Sequence, residues 1–166
     1  MKLLGNYITL ELIIAIILFS IPILLPSFYG GFLDSLSEYA HTDVGYLYGI
    51  LLSLCGFLII YDGASNNKRR WYNILIGLSL LGVVLFPVNF FLITHDLFAI
   101  LFFIGNAFIV TYYSLLLSKN KKLIFSLVIL ITLMLLITGV FTLFIAEAIG
   151  LISMSYFMYV RHSLKK

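Results

Sequence analysis

The chain has 166 residues, of which 63% are hydrophobic and 10% charged, with a net charge of +3 and a mean hydropathy of +1.15. Soluble domains carry about 25% charged residues, so a water-soluble globule is excluded. The ten Lys and Arg residues cluster beside apolar runs, which reads as membrane topology and not as nucleic-acid binding.

The first apolar run, residues 7–25, follows Met1-Lys2 as a secretory leader would. Glu11 interrupts it, no small-x-small cleavage site follows, and it is long enough to span, so it reads as a retained first helix with Pro22 as a kink. Further runs cover residues 46–61, 71–93, 97–117, 123–141 and 143–160. At 1.5 Å per residue, the last two joined as one helix would reach about 57 Å against a hydrocarbon core of about 30 Å, so they must fold back. Thr138, Gly139 and Thr142 mark the tip of that hairpin. The expected architecture is all-α: a single polytopic domain over residues 1–166, built as a six-transmembrane-helix bundle whose spans and short loops occupy the chain.

Lys2, Lys68-Arg69-Arg70, the Lys119, Lys121 and Lys122 cluster, and Arg161, Lys165 and Lys166 all fall on one face of such a bundle. The positive-inside rule makes that face cytoplasmic, with both termini inside. Trp71, Tyr72, Tyr112, Tyr113, Tyr156 and Tyr159 lie toward the same ends, where amphipathic rings anchor at headgroup level. Gly45, Gly49 and Ser53, and then Ala146 and Gly150, recur every four residues and offer small faces for close helix contact. Cys55 lies within an apolar run and, as the sole cysteine, forms no intrachain disulfide. Pro87 is expected to kink the third span.

The densest polar sequence is Asp34-Ser35-Leu36-Ser37-Glu38-Tyr39-Ala40-His41-Thr42-Asp43, between the first two spans and on the outer face. Topology brings His95 and Asp96 to the same leaflet at the start of the fourth span, and Glu147 to about one turn inside the sixth. An ionised acid at mid-bilayer costs about 2.5–3.5 kcal/mol, so Glu147 calls for a partner such as His95, His41 or a backbone amide. Ser35, Ser37, Glu38, His41, Asp43, His95, Asp96 and Glu147 form the candidate binding set.

Each member also has a plain structural role. Ser35 to Glu38 matches a capping box, Thr42 and Thr94 are natural N-caps, and Asp43 and Asp96 suit helix N-termini. Glu147 can pin its helix to a neighbour by a hydrogen bond. Near the inner ends, Glu11, Asp62 and Asn73 pair with Lys or Arg at low cost. Asn106, at mid-depth, reads as an interhelical link, and Ser153 and Ser155 as hydroxyls bonded to their own helix.

Several phrases occur in order: Ser35-Leu-Ser-Glu-Tyr-Ala-His41-Thr42, Leu85-Phe86-Pro87, His95 with Ala99, Phe102 and Phe103, and Glu147 with Ser155-Tyr156. Together they resemble an uncharacterised family of small bacterial six-helix membrane proteins, distantly similar to the DRAM-like multi-pass proteins. The resemblance implies a fold and a bacterial cytoplasmic membrane, without an activity. Ceramidase-like membrane hydrolases, with a three-histidine zinc site, are a remoter comparison from which this chain departs by lacking paired histidines and a seventh helix.

The leading functional reading is a non-enzymatic bundle or assembly subunit whose outer polar pocket binds a lipid headgroup, peptide or partner. Its partners are membrane lipids, other membrane subunits or further copies of itself, with no nucleic acid and no cofactor. The alternative is a metal-dependent hydrolase at the outer leaflet, with zinc or iron held among His41, His95, Asp96 and Glu147, and catalysis drawn from His41, His95 and Glu147. No His-x-x-x-His or His-Glu-x-x-His pair supplies the spacing that makes such motifs specific. A transporter would want charged groups through both halves of the bundle, and the inner half offers few.

Overall fold

The computed structural model describes residues 9–65, 71–108, 118, 120, 127–128, 132 and 142–163. Among them every regular element is helical: α1 (Leu10–Tyr29), a 3-10 helix (Ser37–His41), α2 (Gly45–Ser65), α3 (Trp71–Leu85), α4 (Val88–Phe108) and α5 (Leu143–Ser163). The predicted span 123–141, apart from residues 127–128 and 132, lies outside the described residues. So do the C-terminal part of span 97–117, Thr138, Gly139, Tyr112, Tyr113, and every basic residue named above as a topology marker except Arg161.

Four helices, α1, α2, α4 and α5, are 20 or 21 residues long and apolar enough to cross a membrane. At 1.5 Å per residue α1, α2 and α5 are each about 30 Å long, the thickness of a hydrocarbon core, while α4 is interrupted at Phe91. The fifth, α3, has 15 residues. The outside of the bundle is apolar: Ile93 is 86% exposed, Phe90 78% and Phe32 76%. Such a surface suits lipid and would drive association in water.

Inside, helical periodicity builds the core. Ile14, Leu18, Ile21 and Leu25 of α1 are fully buried, as are Cys55 and Ile59 on the face of α2 that also carries Tyr48 and Leu52. These residues recur at i, i+4, i+7 and i+11, one stripe of a helix. Leu151, Met154, Phe157 and Met158 supply the matching stripe of α5. Helix α1 packs against both α2 and α5, α2 against α3, and α3 against α4, while α4 touches α5 lightly.

Three local features differ from the sequence expectation. First, α1 runs through Pro26 to Tyr29, because Gly30 takes the left-handed conformation (φ 85°) and its N–H closes the helix onto the Pro26 carbonyl at 2.8 Å. Second, the third apolar run breaks at Phe86-Pro87 and not at Thr94–Asp96. Pro87 cannot donate to the preceding turn; it ends α3 and opens α4, with the Phe90 and Phe91 N–H groups donating to its carbonyl at 3.1 and 3.0 Å. Phe91 itself is non-helical (φ −138°, ψ 48°), and Thr94 and Asp96 lie inside α4, not at its cap. Third, α3 approaches α2 closely at Gly56 and not at Gly49, while Gly45 does serve as a close-approach position, against the Ala40 carbonyl of the 3-10 helix. A Cβ on Gly77 of α3 would lie 2.6 Å from the Gly56 carbonyl oxygen, whereas one on Gly49 would meet nothing within 4 Å. Gly150 does serve as expected, receiving the Phe103 ring of α4.

Candidate functional site: a polar cleft between α4 and α5

The segment between α1 and α2 is held by hydrogen bonds that its own sequence supplies. The Glu38 N–H donates to Ser35 Oγ at 3.3 Å, and Glu38 Oε2 accepts the Asp34 N–H at 3.1 Å. The capping box therefore forms, with the Glu arm reaching one residue further back than the motif prescribes. Ser35 and Ser37 share a hydrogen bond at 3.0 Å, and Thr42 Oγ1 accepts the Val44 N–H at 3.3 Å at the start of α2. Tyr39, fully buried, donates to the Gly31 carbonyl at 2.8 Å and accepts the Leu33 N–H at 3.2 Å.

Helix α5 docks onto this segment through its first turn. The Phe144 N–H, an orphan donor by helix geometry, reaches the Asp34 carbonyl at 2.7 Å. Glu147, 8% exposed, accepts the Leu36 N–H at 2.6 Å. Its partner is thus a backbone amide and not a histidine, and that amide opens the 3-10 helix, where a carboxylate is favoured.

His95 is buried, and its Nδ1 lies 2.9 Å from the Phe86 carbonyl oxygen. A carbonyl can only accept, so Nδ1 carries the proton. The ring thereby satisfies a carbonyl at the end of α3, beside the proline that interrupts the helix.

Between α4 and α5, these groups line a cleft of about 670 Å³. Ser35, Ser37, Glu38, His95, Asp96 and Glu147 of the candidate set border it; His41 and Asp43 are exposed and stand outside its lining. Asp34, Asn89, Asn106, Thr132 and Ser153 also line it, and they were not in the set. Leu92, Ile100, Phe103, Ile104 and Ile149 supply apolar walls. Asn106 was legible: it stands eleven residues after His95, three helical turns on the same face. Its Nδ2 donates to the Gly150 carbonyl at 3.1 Å, the interhelical link expected of it. Among the described residues, no three His, Cys, Asp or Glu side chains group as a metal site would require.

A second polar cluster lies at the opposite end of the bundle. Arg161 of α5 is 3% exposed and bonds Asp62 of α2 at 3.1 Å, with Glu11 of α1 at 3.8 Å. Asn73 of α3 donates to the same Asp62 oxygen at 2.6 Å. The Arg161 guanidinium stands 5.6 Å from the Phe157 ring centroid, and His162 shares a 2.7 Å hydrogen bond with Thr9. Pairing of Glu11, Asp62 and Asn73 near helix ends was expected; the convergence of Glu11 and Asp62 on one arginine, with Asn73 bonded to Asp62, depends on helix rotation and was not. Ser155, read as bonded within its own helix, instead donates to the Ala15 carbonyl of α1 at 2.6 Å.

A family model described as a family of unknown function, DUF7103, matches residues 13–162. No curated protein and no solved structure matches the chain.

Proposed function

The chain belongs to DUF7103, a family of unknown function, and we propose that it is a non-enzymatic multi-pass membrane protein that holds the polar end of a lipid-like amphiphile in the α4–α5 cleft. The observation that carries this reading is the make-up of the cleft. Hydroxyls, carboxylates and His95 gather beside the 34–38 segment, and an apolar trench continues along α4 and α5. That is the shape of a headgroup followed by a chain, and its volume falls within the range of small-molecule sites.

The proposed setting is a bacterial cytoplasmic membrane, crossed six times, with both termini inside and the 34–43 segment outside. Its support is the one-sided distribution of Lys and Arg in the sequence. The four membrane-length helices of the structure are compatible with it.

Native mass spectrometry of detergent-extracted protein tests the binding reading. The wild type is expected to retain bilayer lipid. An Ala146→Trp variant, which fills the cleft from α5, is expected to lose it while keeping its helical circular dichroism. Equal retention by a folded Ala146→Trp variant would remove the cleft as the site.

A further inference from the structure

We infer that a water molecule is bound in a small void where the five helices meet, held between the Tyr48 hydroxyl of α2 and the Glu147 carboxylate of α5, so that it ties those two helices together. The inference does not depend on what the α4–α5 cleft binds.

The first observation is the void. It measures about 30 Å³ and takes walls from α1 (Ile21), α2 (Leu52), α3 (Leu80, Val83) and α5 (Leu151), with Phe102 of α4. Holding one water takes about 10–15 Å³ of such space, so one fits, and a lipid headgroup does not. Voids of purely apolar lining stay dry. This one is not purely apolar: of its eleven lining residues, Tyr48 and Glu147 carry polar side chains. Two polar partners are the minimum that a buried water needs.

The second observation is the Tyr48 hydroxyl. The residue is 3% exposed, and a buried phenol usually finds a hydrogen-bond partner. Among the described residues Tyr48 Oη has none. The unpartnered side-chain atoms that are sealed from water are Asn73 Oδ1 and Asn106 Oδ1; Tyr48 Oη is not one of them, so a water can touch it. Glu147 is near enough to act electrostatically on that hydroxyl, yet no direct hydrogen bond joins the two. Its Oε2 takes the Leu36 N–H, which leaves Oε1 with acceptor capacity. A molecule that accepts from the phenol and donates to the carboxylate closes the gap. Water does both, whereas a halide only accepts. Glu147, Ala99 and Phe103 line the void and the α4–α5 cleft alike, so the cleft is the route by which the water enters.

Hydroxyl-radical footprinting of the purified full chain in detergent, driven by an X-ray pulse and read by mass spectrometry, tests this, because radicals formed from a bound water modify the side chain beside it. Tyr39 is the internal reference: it is fully buried, its hydroxyl has two protein partners, and it lines neither space. Tyr48 is expected to be modified severalfold faster than Tyr39. Nitration, whose reagent is larger than water, is expected to reach the exposed Tyr46 and Tyr61 and to spare Tyr48. Modification of Tyr48 no faster than Tyr39 overturns the bound water, and nitration of Tyr48 at the rate of Tyr46 overturns it too, by showing an open hydroxyl. Val83→Ile adds a methylene at the wall of the void and is expected to bring Tyr48 down to the Tyr39 rate; an unchanged rate in the folded variant overturns the placement of the water. The first two measurements use the unaltered chain, so they decide the matter even where Val83→Ile does not fold.

Discussion

Leu36 and Glu147, 111 positions apart in the chain, are joined by a 2.6 Å hydrogen bond in which the Leu36 N–H donates to Oε2 of the Glu147 carboxylate. Both residues are buried, at 4% and 8% exposure. The bond fixes the segment between α1 and α2 to the first turns of α5, and so sets one edge of the cleft. Glu147→Ala strands a buried N–H and is expected to cost about 2–3 kcal/mol. Glu147→Gln keeps an amide oxygen in the same place and should cost less than half as much. Thermal unfolding in a mild detergent checks the order; equal losses would show that the hydrogen bond is not what Glu147 supplies.

At the opposite end, Arg161 draws α1, α2 and α5 together through Glu11 and Asp62. Removing one partner of a buried ion pair leaves the other charge under-compensated, at a typical cost of about 3–5 kcal/mol. Arg161→Met is therefore expected to destabilise strongly. Adding Asp62→Asn to it should restore part of the loss, with a coupling of about 1–3 kcal/mol in the double-mutant cycle. Strict additivity of the two changes would disprove the pairing.

How much of this was legible follows the physics of each signal. The core stripe of α1, Ile14 to Leu25, and the docking role of Gly150 follow from periodicity and residue size, which are local properties. The capping box at Ser35 was legible for the same reason. The break at Phe86-Pro87 was not, because residues 74–88 are apolar but for Ser79 and hydropathy alone cannot place a turn inside such a run; the proline was the signal, read as a kink. Ser155 shows the other limit. A serine in a membrane helix can bond its own backbone or a neighbour's, and only the rotation of α5 against α1 selects the Ala15 carbonyl. His41 and His95 looked alike as outer-face histidines, yet one is exposed and the other is buried against the carbonyl of Phe86.

Glycines on neighbouring helices, Gly77 of α3 and Gly49 of α2, should respond in opposite ways. Gly77→Ala presses a methyl group against the Gly56 carbonyl of α2, a backbone atom that cannot swing aside. The expected loss is about 1–3 kcal/mol, the usual cost of overpacking. Gly49→Ala meets nothing within 4 Å and should be neutral or stabilising by up to about 1 kcal/mol through helix propensity. Urea or detergent-titration midpoints of the two variants check the contrast, and a destabilised Gly49→Ala would refute the assignment of the α2 contact face.

The proposed orientation makes a separate prediction. Asp43 and Ser163 are exposed at opposite ends of the bundle. In a Cys55→Ala background, Asp43→Cys should react with a membrane-impermeant maleimide from outside the cell, and Ser163→Cys only after the membrane is opened. The reverse pattern would invert the topology, and reaction of both from one side would break the expected crossing number.

Tyr39 gives the pH dependence. Burial raises its phenol above the ordinary value near 10, and the hydrogen bond from the Leu33 N–H, which favours the phenolate, offsets only part of that effect. The folded chain therefore keeps the phenol proton at pH values where the unfolded chain has released it. Its contribution to stability is complete below about pH 10 and is lost as the pH rises from there through the folded-state value. Tyr39→Phe also strips a partner from the Gly31 carbonyl and the Leu33 N–H, so it should lower stability by about 1–2 kcal/mol at neutral pH. In unfolding series carried from neutral pH to beyond the ordinary tyrosine range, the wild type is expected to lose stability more steeply than Tyr39→Phe, so that the gap between them closes. Parallel curves would mean that the phenol titrates alike in both states, and that its burial against Gly31 and Leu33 is not maintained in solution.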